Sequence, residues 1–262
     1  MFRKSRGHKN MTNVGSETLE FDEVRPAGSR WALGLVLGAA ISAILVWTHN
    51  VPTGLTVQDR AALQAHTIKW GLPSRVDHTN YAEELRYIVQ AQNSIFSAVP
   101  GNDGIPHGES REPADVLGRG SGLCYDRSRT IEKLLGYAGF ETRHVSVYKT
   151  SATGSLVKSL LRRNVSSHAV TEVLTAKGWI VVGSNYPWVS HGRNGSPVSL
   201  QEMRADKTFK YTNLDKSPGA GIFDQDFDYV YGLYSRHGKF YAPYNFIPDV
   251  NFADLLQNFN PT

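Results

Sequence analysis

Residues Trp31 to Trp47 read WALGLVLGAAISAILVW, 17 consecutive residues without a charge. As a helix they span roughly 25 Å at about 1.5 Å per residue, the short end of what crosses a bilayer. Trp31 and Trp47 bracket the run as interfacial aromatics do. Arg25 and Arg30 precede it, with Arg3, Lys4, Arg6 and Lys9 further upstream, while the first Lys or Arg after it is Arg60. That asymmetry predicts a cytoplasmic N-terminus and an extracytoplasmic remainder, in a single-pass inner (plasma) membrane protein. A cleaved signal peptide fits less well, because the run starts 30 residues in and HNVPTG carries no small-residue cleavage pattern. A buried core helix is disfavoured by the uniform apolarity and the flanking charges. The expected division is a cytoplasmic tail over 1–30, a transmembrane helix over 31–48, a linker and short helix over 49–79, and one extracytoplasmic domain over 80–262.

The rest of the chain has the composition of a folded domain. Charged residues make up 20% and hydrophobic ones 40%, which excludes a disordered polymer and a polytopic membrane protein. Lys and Arg number 28 against 24 Asp and Glu, and six of those bases with four of those acids lie in residues 1–30. So small an excess gives no basic footprint for nucleic acid, and none is expected as a partner. A single cysteine permits no intramolecular disulfide and no cysteine-rich metal site. No His-Glu-x-x-His or comparable ligand spacing is present, so no metal and no cofactor is expected.

The spacing predicts short helices at 57–70 and from Ser199, where Glu202 completes a capping box. A longer helix runs from Asn80 to Phe96, with an apolar stripe of Tyr81, Leu85, Ile88, Val89, Ile95 and Phe96. Residues 98–122 are rich in Gly and Pro and read as loop. A helix starts near Cys124, with Ile131, Leu134, Leu135 and Ala138 on its apolar face, and stops at Gly139. Strands are expected at 142–148, 167–174, 178–182 and 229–234, and a last helix near 251–259. One helix followed by strands at hairpin spacing gives an α+β class.

Cys124 follows Gly118-Arg-Gly-Ser-Gly122-Leu and opens a helix. A helix N-terminus stabilises an anion and predicts a lowered thiol pKa. A thiolate nucleophile needs a base, usually a histidine held by a third group. His168, at the start of a strand 44 residues on, is the natural partner, although His107, His144, His191 and His237 also qualify by composition.

Gly122-Leu-Cys124-Tyr-Asp126, the helix to Leu135 and the strand Arg143-His-Val-Ser-Val-Tyr148 resemble the cysteine half of a transglutaminase-like domain. His168-Ala-Val-Thr-Glu172-Val and Gly178-Trp179-Ile-Val-Val resemble its histidine half. The resemblance covers roughly residues 80–190. It implies a papain-like α+β core, with the cysteine-bearing helix packed on an antiparallel sheet, and a Cys-His-Asp triad in which Cys124 is the nucleophile and His168 the base. It further implies a thioester-forming acyl transferase, amidase or peptidase acting on a peptide, protein or envelope-polymer substrate. Where the family has its aspartate, this chain has Gly183. Asn185, two residues on, shares that face if the strand continues, and papain-like enzymes orient their histidine with an asparagine. The alternative is a catalytically silent binding or scaffolding module. Asp126 reads as a structural or first-turn residue and Glu172 as a surface charge.

Three features stand outside the motif. Residues 223–259 hold 11 of the 23 Phe and Tyr, most simply core packing. Tyr231-Gly-Leu-Tyr-Ser-Arg-His-Gly resembles segments of proteins encoded with bacterial surface-polysaccharide machinery. Lys158, Arg162 and Arg163 beside Leu156, Leu160 and Leu161 suggest a short amphipathic helix covering the site, or more plainly a solvated basic face.

Overall fold

In the chain's first described element every residue from Trp31 to Leu45 is exposed to its surroundings. A computed structural model describes residues 28–73, 75–106, 108–162, 164–208, 210–211, 220–235 and 249–259. Helix α1 (Gly28–His49) contains the 19-residue stretch Trp31–His49, long and apolar enough to cross a membrane, with a mean hydropathy of 2.0. Residues 1–27 of the tail expected over 1–30, His107, Arg163, His237 and the aromatics Phe240, Tyr241, Tyr244 and Phe246 lie outside the described residues.

The chain from Val46 onward forms one compact unit, separate from the unit that ends at Leu45. It comprises α2 (Val57–Lys69), α3 (Tyr81–Ala98), α4 (Pro113–Arg119), α5 (Cys124–Tyr137), β1 (Glu141–Lys149), α6 (Leu156–Leu161), β2 (Ser167–Thr175) and β3 (Gly178–Val182). Then follow β4 (Ser190–His191), α7 (Leu200–Ala205), β5 (Lys210–Tyr211), β6 (Phe227–Tyr231), β7 (Leu233–Tyr234), β8 (Asp249–Val250) and α8 (Phe252–Leu256). The segment expected as a linker and short helix is packed into this unit. Leu63 of α2 is fully buried, and Asp59 of α2 binds Lys133 of α5 at 2.7 Å.

Helix α5 is the axis of the fold. Asp126 in its first turn accepts the Leu123 N–H at 2.9 Å, half of a capping box. Every residue from Asp126 to Leu135 is buried, because α2, α3, α4 and the sheet close around it. The main sheet is antiparallel in the order β3-β2-β1-β6, with Val145 opposite Val170 and Val173 opposite Ile180. The α+β expectation, a cysteine-bearing helix on an antiparallel sheet, describes this arrangement.

Alternation along β2 sorts its side chains between two cores. Thr171 and Val173 face α5: Thr171 Oγ1 donates to Ser128 O at 2.9 Å, and Val173 joins Ile131, Leu134, Leu135, Ile88 and Ile95. Val170 faces the other way, with Val145, Val147 and Val181, into a second core with Trp188, Met203, Phe223 and Tyr231. Full burial of each such aliphatic side chain contributes about 1.5–3 kcal/mol.

Two local readings differ from the structure. The segment 98–122 contains α4, which begins with Pro113 at its first position and stops at Gly120 in the left-handed conformation. Pro at a helix start and Gly after its end look like loop punctuation unless read by position. The strand expected over 229–234 is two pieces, broken at Gly232. Its φ is 71°, and a Cβ there would lie 2.6 Å from Asn251 O.

Candidate active site

Cys124 occupies the first position of α5. The residue is partly accessible, but protein closely surrounds its sulfur. Burial, the largest effect, pushes the thiol pKa up. Backbone N–H groups of Ala169, Tyr125 and Cys124 itself pull it down, and the Asp126 charge adds to the rise. The lowered pKa expected from the helix N-terminus is therefore not what the environment produces: desolvation outweighs the N–H groups. The thiol is protonated at neutral pH.

His168 is the second residue of β2 and pairs in register with Val147. Strand alternation turns it away from α5, into the second core, where its ring meets Phe223 edge-on at 6.1 Å. It is 6% exposed, and its Nε2 has no hydrogen-bond partner among the described residues. Burial alone lowers its pKa to about 4, so the ring is neutral at pH 7. The backbone of Ala169, next to His168 on β2, serves both sides of this region: its N–H points to the Cys124 sulfur, and its carbonyl accepts the Ser184 hydroxyl.

The third position is closed by size. A Cβ at Gly183 would lie 2.5 Å from Trp188 Nε1 and 2.7 Å from Tyr186 O. The Gly183 N–H donates to Trp188 O at 2.9 Å, and Gln92 Nε2 donates to Gly183 O and Trp188 O at 2.8 Å each. The Trp188 ring continues edge-on into Phe223 at 5.4 Å. Asn185 does not share this pocket. Strand β3 ends at Val182, a bend runs over residues 184–187, and Asn185 is exposed on it. The premise that the strand continues fails, so parity no longer directs Asn185 toward the imidazole.

Two acids near the motif have other partners. Asp126 pairs with Arg111 at 2.7 Å. Glu172, expected at the surface, is fully buried: it accepts Arg143 Nε at 2.8 Å and the Leu200 N–H at 2.6 Å. The Arg143 guanidinium lies 3.8 Å from the Trp179 ring centre and 4.1 Å from that of Tyr231. Of the remaining histidines, His144 is on the α5 side of the sheet. Its Nδ1 is 3.2 Å from Ser128 Oγ, its ring stacks on Tyr234, and burial with the Arg129 charge lowers its pKa to about 3. His191 Nδ1 lies 3.0 Å from Gly192 O. Among the described residues no group of three or more His, Cys, Asp and Glu is arranged to hold a metal.

Residues 71–184 match the family model of the transglutaminase-like superfamily. This segment is a transglutaminase-like domain. No significant match is found among curated proteins or among solved structures. The transglutaminase-like segment includes both Cys124 and His168 and ends immediately after Gly183. Phe223, which meets the histidine ring, and Trp188, which packs on Phe223 and on Gly183, lie beyond it. Neither was singled out from the sequence. The one available signal was a glycine at an expected side-chain position, which asks what bulk replaces the missing group.

Proposed function

We propose that this protein is a membrane-tethered transglutaminase-like module that binds or scaffolds a peptide, protein or envelope polymer without transferring an acyl group. The observation that carries the reading is Trp188 in the space a side chain at 183 would need. Among the described residues no carboxylate acts on His168, so none of them stabilises its charged form. In the same proposal α1 spans the inner membrane, the basic residues before it stay in the cytoplasm, and the domain lies outside.

A second reading is favoured by Cys124 at the start of α5 beside three backbone N–H groups. There the sulfur attacks a carboxamide carbonyl and forms a thioester. The amine leaves with the thiol's proton carried by His168, and water or a second amine then takes the acyl group. This path needs the His168 ring within hydrogen-bond reach of the sulfur.

Alkylation of Cys124 against pH in the full chain, native and His168→Ala, separates the two. A rate that rises only near or above the ordinary thiol pKa, about 8.5, and is the same in both proteins supports the silent module. A low-pH reactive limb that disappears in His168→Ala overturns it in favour of acyl transfer.

A further inference from the structure

Where the apolar span of α1 ends, the chain is fastened to the start of α8 with no intervening linker. The Val51 N–H donates to Val250 O at 2.8 Å, and Asn251 Nδ2 donates to Val51 O at 2.8 Å. The Phe252 N–H donates to Asn50 Oδ1 at 3.3 Å, and His49 lies 3.4 Å from Asp249. The start of α8 is therefore held beside residues 49–51, within the compact unit that begins at Val46.

Helices α6 and α8 lie over one small core. Leu156 and Leu160 of α6 and Phe252 and Leu255 of α8 pack on Tyr148, Val230 and Val250. Their outer sides and the turn after α8 are also apolar: Val157 is 65% exposed, Leu161 82%, Leu256 67% and Phe259, in that turn, 84%. Single exposed apolar residues are ordinary, but four on two neighbouring segments, of which Val157 and Phe259 line a groove of about 480 Å³, form a patch that implies an occupant. Lys158 and Arg162 are exposed on the same segment, with no ion pair among the described residues. This is the amphipathic stretch noted in the sequence: its inner side packs beside β1 and β6, and its described basic residues are exposed.

We infer that the outer face of α6 and α8 lies in the membrane interface, with Phe259, Leu256, Leu161 and Val157 at the acyl boundary and Lys158 and Arg162 toward anionic headgroups. The inference rests on the reading that α1 crosses the membrane. Distance supports it: eight residues from Phe252 to Phe259 reach at most about 12 Å from the exit point, and an interfacial helix buries its apolar side about 5–10 Å deep. Basic residues at such a surface are attracted to anionic lipid. An extended peptide is a poorer occupant, although the groove runs along the edge strand β6. Asn258 closes that edge by accepting the Tyr231 N–H at 2.9 Å and donating to Tyr231 O at 3.1 Å, and Asp228 accepts the Tyr229 N–H at 3.0 Å.

The test uses the full chain in a Cys124→Ser background, reconstituted in phosphatidylcholine–phosphatidylglycerol vesicles that contain spin-labelled lipid. A fluorophore is attached at Val36→Cys, Phe259→Cys, Leu161→Cys or Lys177→Cys. The expected result is loss of most of the fluorescence at 36, 259 and 161, with little loss at 177. Quenching at 36 with 259 and 161 no more quenched than 177 overturns the inference and leaves the span standing. A blue-shifted but unquenched probe at 259 does the same, and identifies a protein or second copy as the occupant. An unquenched probe at 36 overturns both readings.

Discussion

Trp188 Nε1 lies 2.5 Å from the point that a Cβ on residue 183 would occupy, so Gly183 and Trp188 are a matched small–large pair. The indole takes the room that a side chain at 183 would need. Gly183→Asp consequently does not restore a triad; it collides with the indole and buries an unpaired carboxylate. Gly183→Ala isolates the steric part and is expected to cost about 1–3 kcal/mol, as overpacking does. Gly183→Ala combined with Trp188→Ala should cost less than the two single changes added together. Urea midpoints of the four proteins measure this, and simple additivity would mean that the two residues do not compete for space.

The buried histidines make the fold acid-sensitive. Burial lowers His168 and His66 to about 4 and, with the Arg129 charge, His144 to about 3. Each titrates near 6.5 in an unfolded chain, so between those values the unfolded state binds protons that the folded state does not. This contribution is fully present above about pH 6.5 and is lost as pH falls toward 4. Glu132, raised by burial to about 7, and Asp254, raised to about 6, act oppositely over part of the same window. They hold protons in the folded state that the unfolded chain releases, so they reduce stability as pH rises. His168→Gln removes one histidine from this balance. Stability plotted between pH 6.5 and 4 should then be shallower than in the native protein by about 1.4 kcal/mol per pH unit, the weight of one proton. An unchanged slope would show that His168 titrates normally in the fold.

Lys133 joins three helices from a fully enclosed position. Its Nζ binds Asp59 of α2 at 2.7 Å and Glu112, at the start of α4, at 2.5 Å. Lys133→Met keeps the stem's volume and removes the charge, leaving Asp59 buried without its cation. The expected loss is about 3–5 kcal/mol, as for breaking a buried pair by deleting one partner. Lys133→Met with Asp59→Asn should recover part of it, because the stranded charge is then gone. Thermal unfolding of the two variants against the native chain measures both effects; equal losses would place the cost in packing rather than charge.

What could be read from the sequence was local. Ser199 and Glu202 form the capping box their spacing implies, and Asn80 caps α3 by accepting the Ala82 N–H at 3.1 Å. Both signals lie within one helical turn. The strands expected at 142–148, 167–174 and 178–182 correspond to β1, β2 and β3, the second carrying His168 and Ala169. Alternation misled where the strand stopped: one residue past Gly183 the chain bends, Ser184 turns inward to the Ala169 carbonyl and Asn185 turns outward. Glu172 was read as a surface charge because its cation, Arg143, is 29 residues away, on a neighbouring strand. Trp188 was missed because its partner is an absence of side chain, which no periodicity encodes.

Gln92 is the remaining support of the bend. Its Nε2 reaches from α3 to Gly183 O and Trp188 O, both 2.8 Å away, inside the protein. Trp188 O also receives the Gly183 N–H, whereas the described hydrogen bonds to Gly183 O come from Gln92. Gln92→Leu keeps the apolar contacts of α3 and leaves that carbonyl buried without its donor, at a cost of about 1–3 kcal/mol. The loss should be local as well as global: amide exchange at Gly183 and Trp188 accelerates, while exchange in the centre of α5 changes only as far as total stability falls. Gln92→Glu, when ionised, offers no donor and places an acceptor against two carbonyls, so it should be worse than Leu. If Gln92→Glu were as stable as the native chain, the carbonyls at 183 and 188 would not depend on this donor, and the bend that carries Asn185 outward would have another cause.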